Sequence, residues 1–213
     1  MKKLILSAVL MASMSVSGQV DFNNTRFGII GGYDYSRVRN AHNPSGPRHT
    51  FQAGVTALIP IDSYDQFYIQ PEVVYYGAGE SGKDKTAKGK NGYNAMYANN
   101  YISVPIYFKG YFSEAESEFF GLIGPRFNFL INQKLSNIYN PGYTIEGNGK
   151  INGKAAFFNF AIGAGVGFSY KRKLEISGRY DLGISNTYPG LMAEYEAKKS
   201  QQVASVVINY IFD

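Results

Sequence analysis

Apolar residues recur at every second position through eight stretches of the chain, about Arg26 to Val38, Phe51 to Ile59, Phe67 to Tyr76, Tyr101 to Phe112, Phe119 to Ile131, Phe158 to Tyr170, Leu174 to Ser185 and Gln202 to Phe212. A period of two places alternate side chains on opposite faces of a strand. The sixth stretch is the cleanest. Phe158, Phe160, Ile162, Ala164, Val166, Phe168 and Tyr170 share one face, and Asn159, Ala161, Gly163, Gly165, Gly167 and Ser169 share the other. In the fourth, Ile102, Val104, Ile106, Phe108 and Phe112 oppose Tyr101, Ser103, Pro105, Tyr107, Lys109 and Tyr111. In the seventh, Leu174, Ile176, Tyr180, Leu182 and Ile184 oppose Glu175, Ser177, Arg179, Asp181 and Ser185. Gly31, Gly32 and Pro71 blur the first and third. Helical periodicity is poor throughout.

The connections between these stretches alternate. Those at about Arg39 to Thr50, Gly77 to Asn100, Asn132 to Phe157 and Asn186 to Gln201 are long; those at about Pro60 to Gln66, Ser113 to Glu118 and Lys171 to Lys173 are short. Short periplasmic turns and long extracellular loops are the habit of outer-membrane barrels. No stretch after the N-terminal region holds 18 consecutive apolar residues, so a membrane crossing would have to be a closed barrel, which leaves no backbone group unpaired in hydrocarbon. The expected fold is all-β: an eight-stranded antiparallel transmembrane β-barrel with both chain ends on the short-turn side.

The N-terminus differs. Lys2 and Lys3 precede an apolar to weakly polar run from Leu4 to Met14, and small residues follow at Ser15 to Gly18. That arrangement reads as a cleaved signal peptide over residues 1–18, with the barrel over 19–213. The run is about half the roughly 20 residues a membrane-spanning helix needs. Without Lys2 and Lys3 the net charge falls from +5 to +3, too mild an excess to imply a nucleic-acid partner.

Composition decides which face meets lipid. Only 17% of residues are charged, while 15% are aromatic, as 18 Tyr and 15 Phe without Trp. A barrel inverted for water would expose Gly163, Gly165, Gly167, Ser103, Ser177 and Ser205 where Lys and Glu are expected. With the apolar face outward, small residues line a narrow bore and tyrosines fall near strand ends. Girdle candidates are Tyr64, Tyr68, Tyr111, Tyr170 and Tyr210 on the turn side, and Tyr33, Tyr75, Tyr76 and Tyr188 on the loop side.

The inward face then carries Arg26, Lys109, Arg126 and Arg179 against Asp34, Glu72, Glu175 and Asp181, with Gln52, Gln70, Asn128 and Asn209 between. Eight strands enclose a bore that side chains can fill. Unpaired buried charge costs several kcal/mol, so these groups are expected to pair as a structural plug; a narrow permeation path is the alternative.

At Tyr101-Ile102-Ser103-Val104-Pro105-Ile106-Tyr107-Phe108-Lys109, Gly124-Pro125-Arg126-Phe127 and Gly178-Arg179-Tyr180-Asp181-Leu182-Gly183-Ile184-Ser185-Asn186, the chain resembles the PorT-like outer-membrane β-barrel family of Bacteroidetes. The resemblance spans essentially all of the chain beyond the signal segment. It implies an outer-membrane location and an eight-stranded barrel, and it raises membership of a secretion or gliding assembly. The last strand, ending Tyr210-Ile211-Phe212, resembles the signal read by the barrel-assembly machinery, with Asp213 in place of a terminal aromatic.

Candidate chemistry is sparse. The absence of Cys removes disulfides, thiolate metal sites, a Cys nucleophile and a lipid-anchored Cys. The two histidines, His42 and His49, fall in the first long connection and read as solvated loop residues. Lipid-modifying catalysis would want its His, Ser and acid on the wall near lipid, and a metal would need a third ligand from elsewhere. Gly163 to Gly167 opens no helix, so it does not match a phosphate-binding loop. Lys83, Lys85, Lys88 and Lys90, with Asp84, lie among Gly and Asn in the second loop, where they serve solubility or a surface contact. No catalytic residue, cofactor or metal is expected. The expected partners are outer-membrane lipid including lipopolysaccharide, the assembly machinery, and an unidentified envelope protein. The leading function is a non-enzymatic barrel with a filled bore and interacting loops; a passive channel or transporter for small solutes or apolar molecules is the alternative, motivated by the Gly-lined wall.

Overall fold

The computed structural model describes residues 22–138, 153–191 and 197–212; the signal segment lies outside them. The strands are β1 (Arg26–Arg39), β2 (Gly46–Pro60), β3 (Phe67–Ser81), β4 (Met96–Tyr111), β5 (Glu118–Ser136), β6 (Phe158–Tyr170), β7 (Leu174–Gly183) and β8 (Ser200–Ile211). Each pairs antiparallel with its sequence neighbours, and β1 pairs with β8, closing the barrel. A 3-10 turn at Lys85–Ala87 lies between β3 and β4.

All eight predicted strands are present, and their alternation is the burial alternation. In β8, Val203, Val207, Asn209 and Ile211 are buried while Val206, Ile208 and Tyr210 are exposed. Phe27, Ile29, Val55, Val73, Ile106, Phe108, Ile123, Ile162, Val166, Ile176 and Leu182 are likewise exposed around the wall. Such a continuous apolar belt is incompatible with water and suits a bilayer core.

The strand ends on the loop side run further than the pattern predicts. β2 begins at Gly46 rather than Phe51, β3 continues to Ser81, β4 begins at Met96 and β5 continues to Ser136. Beyond the membrane the outer face turns polar, as at Asn100, Asn132 and Lys134, so the alternation of hydrophobicity disappears while the backbone ladder continues. In consequence the first connection is not long: it is residues 40–45, with His49 inside β2. A register shift between Pro47 and Gln52 also breaks the period there.

The girdle assignment needs correction as well. Tyr33, Tyr64, Tyr75, Tyr170 and Tyr210 are exposed, but Tyr68, Tyr76, Tyr111 and Tyr188 are buried. In β3 and β4 parity separates the two sets: Tyr75 faces out and Tyr76, its neighbour, faces in. Inward tyrosines fill the bore, so it is not lined by small residues alone. Tyr107, Phe120 and Arg179 lie against the Gly wall of β6. A Cβ on Gly167 would come within 2.5 Å of Phe120 Cζ, one on Gly165 within 2.9 Å of Arg179 Cγ, and one on Gly163 within 3.0 Å of Tyr107 Oη. Glycine is required there because side chains from β4, β5 and β7, joined at Gly165 and Gly167 by the carbonyls of Gly178 and Ile176, occupy the space of a Cβ.

Candidate functional site

Three ion pairs cross the bore. Nearest the short turns, Lys109 Nζ donates to Glu175 Oε1 and Oε2 at 2.5 and 2.6 Å. Tyr111 Oη also donates to Glu175 (2.6 Å), and the ammonium sits 4.2 Å from the Phe120 ring centroid. Further along, Arg179 Nη1 donates to both oxygens of Glu72 at 2.9 Å, and Gln70 Nε2 donates to the same carboxylate at 2.6 Å. Arg126 pairs with Asp181. Its Nε donates to Ser103 Oγ (2.8 Å), which donates in turn to Asn128 Oδ1 (2.8 Å), and its guanidinium lies 4.2 Å from the Tyr76 ring. Every member of the three pairs is buried. The partners come from β3 and β7, β4 and β7, and β5 and β7, so β7 is tied across the bore to three other strands.

Six of the eight predicted inward charges therefore meet as pairs, and the remaining two do not join them. Arg26 is half-buried at the turn end, where Nη2 donates to Tyr68 Oη at 2.9 Å. Asp34 is buried further along the bore and accepts from Gln52 Nε2 at 2.8 Å. Both sit on β1, eight residues apart, and neither forms an ion pair among the described residues. Beside Arg126 and Asp181 the bore holds a cavity of only about 10 Å³, bordered by Tyr76, Asn128 and Asn159. That is room for one water at most.

The extracellular mouth is also filled, and His42, expected as a solvated loop residue, lies inside it. His42 is 8% exposed; its Nδ1 bonds the buried Glu80, and its ring stacks on Tyr97 at 3.4 Å between centroids. Ser45 donates to the other oxygen of Glu80 and accepts from Arg37 Nε at 3.1 Å. Asn99 donates to Tyr188 Oη at 2.9 Å. Around them Val38, Ala41, Ala155, Tyr188 and Leu191 form one apolar cluster, drawing three connections together over the barrel end. Glu80 was missed because the strand signal ends at Tyr76; its only sequence mark is its even spacing from Glu72 and Tyr76 on the inward face.

His49 is exposed on β2, where its Nδ1 bonds the Tyr33 hydroxyl. Lys83, Lys85, Lys88 and Lys90 are all exposed. Thr86 donates to Asp84 through its amide and hydroxyl, which holds the Asp84 carboxyl below its ordinary range and caps the 3-10 turn. Among the described residues no group of three or more His, Asp or Glu is arranged to hold a metal ion.

No curated protein matches the sequence. Among solved structures, Ail of Yersinia pestis, crystallised with the heparin analogue sucrose octasulfate, is 15% identical, with 88% of this chain and 99% of that one covered and a TM-score of 0.44. The outer membrane enzyme PagL is 10% identical, covering 87% and 98%, with a TM-score of 0.48. OprG from Pseudomonas aeruginosa is 11% identical, covering 88% and 95%, with a TM-score of 0.43. The family model described as outer membrane protein beta-barrel domain matches residues 13–188. With an apolar belt outside and a closed eight-stranded sheet within it, this chain belongs to the outer membrane protein β-barrel domain family and is an integral outer-membrane protein.

Proposed function

We propose that the chain acts as a non-enzymatic, side-chain-plugged barrel whose extracellular face carries its interactions with the envelope. The observation that supports this most directly is the bore itself: three ion pairs and the inward tyrosines leave a cavity of about 10 Å³ beside Arg126 and Asp181. The Gly wall that motivated a transport reading is covered by Tyr107, Phe120 and Arg179. A hydrolytic or acyl-transfer role draws no support from the mouth, where His42, Ser45 and Glu80 are buried under apolar residues and the single Ser45 proton is directed at Glu80. The test is single-channel recording of the folded barrel in a planar bilayer. The expected trace is silent; discrete conductance steps altered by Arg126→Met or Arg179→Met would instead make the inward charges a permeation path.

The PorT-like motifs at Tyr101 to Lys109 and Gly178 to Asn186 favour an envelope assembly as the partner. A strain lacking the protein is then expected to lose protein secretion or gliding. Normal secretion and gliding would detach the chain from those systems while leaving the plugged barrel standing.

A further inference from the structure

Above the lipid-facing belt, the outer wall of β2–β5 carries an open groove of about 830 Å³, lined by Arg48, His49, Lys83 and Lys134 together with Ser81, Asn94, Met96 and Asn137. Among the described residues no carboxylate lines it. Arg48 is held in place by three acceptors, the carbonyls of Ala78 and Asn99 (3.2 Å to the latter) and Asn100 Oδ1 (3.4 Å), none of which neutralises its charge. Lys83 and Lys134 are exposed, with no ion pair among the described residues. The backbone at Lys83 packs against Gly46, where a Cβ would collide with its carbonyl, so the backbone that carries the lysine is held at the groove.

Position identifies the occupant. His49 shares outward parity with Phe51 and Val55 on β2, Ser81 with Val73 and Tyr75 on β3, and Met96 with Ile102 and Ile106 on β4. The groove is thus a continuation of the lipid-facing wall, and Arg48, which pairs with the buried Ser36, reaches it across β3 to Asn100 on β4. Tyr33, paired with Phe51, Tyr35, paired with His49, and Tyr75, paired with Ala53, form the aromatic band where the hydrocarbon ends. His49 lies two residues beyond Phe51, and Lys134 pairs with Ala98, four residues beyond Ile102, itself opposite Tyr75. At about 3.3 Å per residue and a tilt of roughly 40°, His49 and Lys134 stand on the order of 5–10 Å above Phe51 and Tyr75, level with or beyond the exposed Tyr35 that pairs with His49, in the headgroup band. An anion approaching this wall at this height is part of a membrane lipid.

We propose that the groove binds the phosphorylated sugar headgroup of an outer-leaflet glycolipid, with Arg48, Lys83 and Lys134 on phosphate oxygens and Asn94 and Asn137 on sugar hydroxyls. This rests on the reading of the extracellular face as the interacting surface and names its ligand. Guanidinium and ammonium groups make charge-assisted hydrogen bonds to phosphate, and in a desolvating interface they are screened less than cations in open water.

The experiment measures retention of bisphosphorylated lipid A, and of the same lipid after dephosphorylation, by the folded barrel in uncharged detergent micelles. The phosphorylated lipid is expected to be retained preferentially, and more weakly as salt rises. The double variant Lys83→Gln/Lys134→Gln keeps the heat-modifiable gel shift of a folded barrel but is expected to lose affinity by roughly five-fold per lysine, the usual worth of a cation beside anionic lipid. Lys85→Gln/Lys88→Gln/Lys90→Gln, which removes loop charge outside the groove, is expected to bind as the parent does. Equal retention of the two lipids, or loss in the loop variant with the groove variant unaffected, would overturn the proposal. Displacement of the lipid by equimolar inorganic pyrophosphate would overturn the lipid as the source and leave a soluble polyanion. Indifference to lipid phosphate with a silent bilayer removes the groove alone, whereas a conducting barrel that still selects the phosphorylated lipid removes the plug alone.

Discussion

Arg126→Met is expected to destabilise the barrel by about 3–5 kcal/mol, read as the shift in the urea midpoint of the heat-modifiable band, because it strands a buried partner. The stranded group is Asp181, which would keep only a 3.5 Å hydrogen bond from Tyr107 and no cation in direct contact. Ser103 would lose its donor from the Arg126 Nε as well. The sign of the double variant distinguishes two accounts of the pair. Replacing both members, Arg126→Met with Asp181→Leu, is expected to recover most of the loss, since a buried pair replaced by apolar groups of similar volume is often neutral or stabilising. If the double variant is as unstable as the single one, Arg126 acts through its stack on Tyr76 and its bond to Ser103 instead. Arg26→Gln makes the contrast. Its guanidinium is half-buried and bonded to a hydroxyl rather than a carboxylate, so a change of about 1 kcal/mol or less is expected.

Gly163→Val is expected to prevent assembly or to cost several kcal/mol, at the severe end of the range for overpacked cores. A Cβ at this position meets Asp181 Oδ1 and the Tyr107 ring, so the added branch pushes the carboxylate away from Arg126 as well as crowding the wall. Two effects with different causes then add at one residue. Gly178→Ala is the matching control on the opposite face. Nothing lies within 4 Å of a Cβ there, and the position faces lipid, so the substitution is expected to be neutral or stabilising by about 0.5–1 kcal/mol through the lower backbone entropy of the unfolded chain. Comparable damage from both would mean that β6 and β7 require glycine for backbone reasons rather than for the space Tyr107 occupies. Folding yield into micelles, followed by the gel shift, reads both variants.

Much of this architecture was legible because a transmembrane strand is under a simple constraint: alternate residues must suit lipid. β6 was readable at both ends, Phe158 and Tyr170, and β1, β7 and β8 to within two residues. The inward location of Lys109, Arg126, Arg179, Glu72, Glu175 and Asp181 followed from parity alone. The alternation fails where lipid ends. In the upper parts of β2 to β5 the period is lost, which conceals the place of His49 within a strand and the inward position of Glu80. Parity was available for Tyr68, Tyr76 and Tyr111 too, and position near a strand end proved the weaker guide: they fill the bore.

The candidate sites divide in the same way. Alternation in one strand says which face a charge is on but nothing about which partner from a distant strand stands opposite. Lys109 and Glu175 are 66 residues apart, and Arg179 and Glu72 are 107 apart. Strand tilt and register, set only when β1 meets β8, decided that these pair and that Arg26 and Asp34 do not. The groove at Arg48, Lys83 and Lys134 likewise draws on β2, the β3–β4 connection and β5, and no local pattern joins them. The number of strands, the lipid-facing surface and the charge content of the interior are written locally in the chain, because each depends on a side chain's own polarity and its parity. The tertiary structure alone decided the pairing, the filled mouth and the cationic groove, because each depends on the closure that brings remote strands within hydrogen-bonding distance.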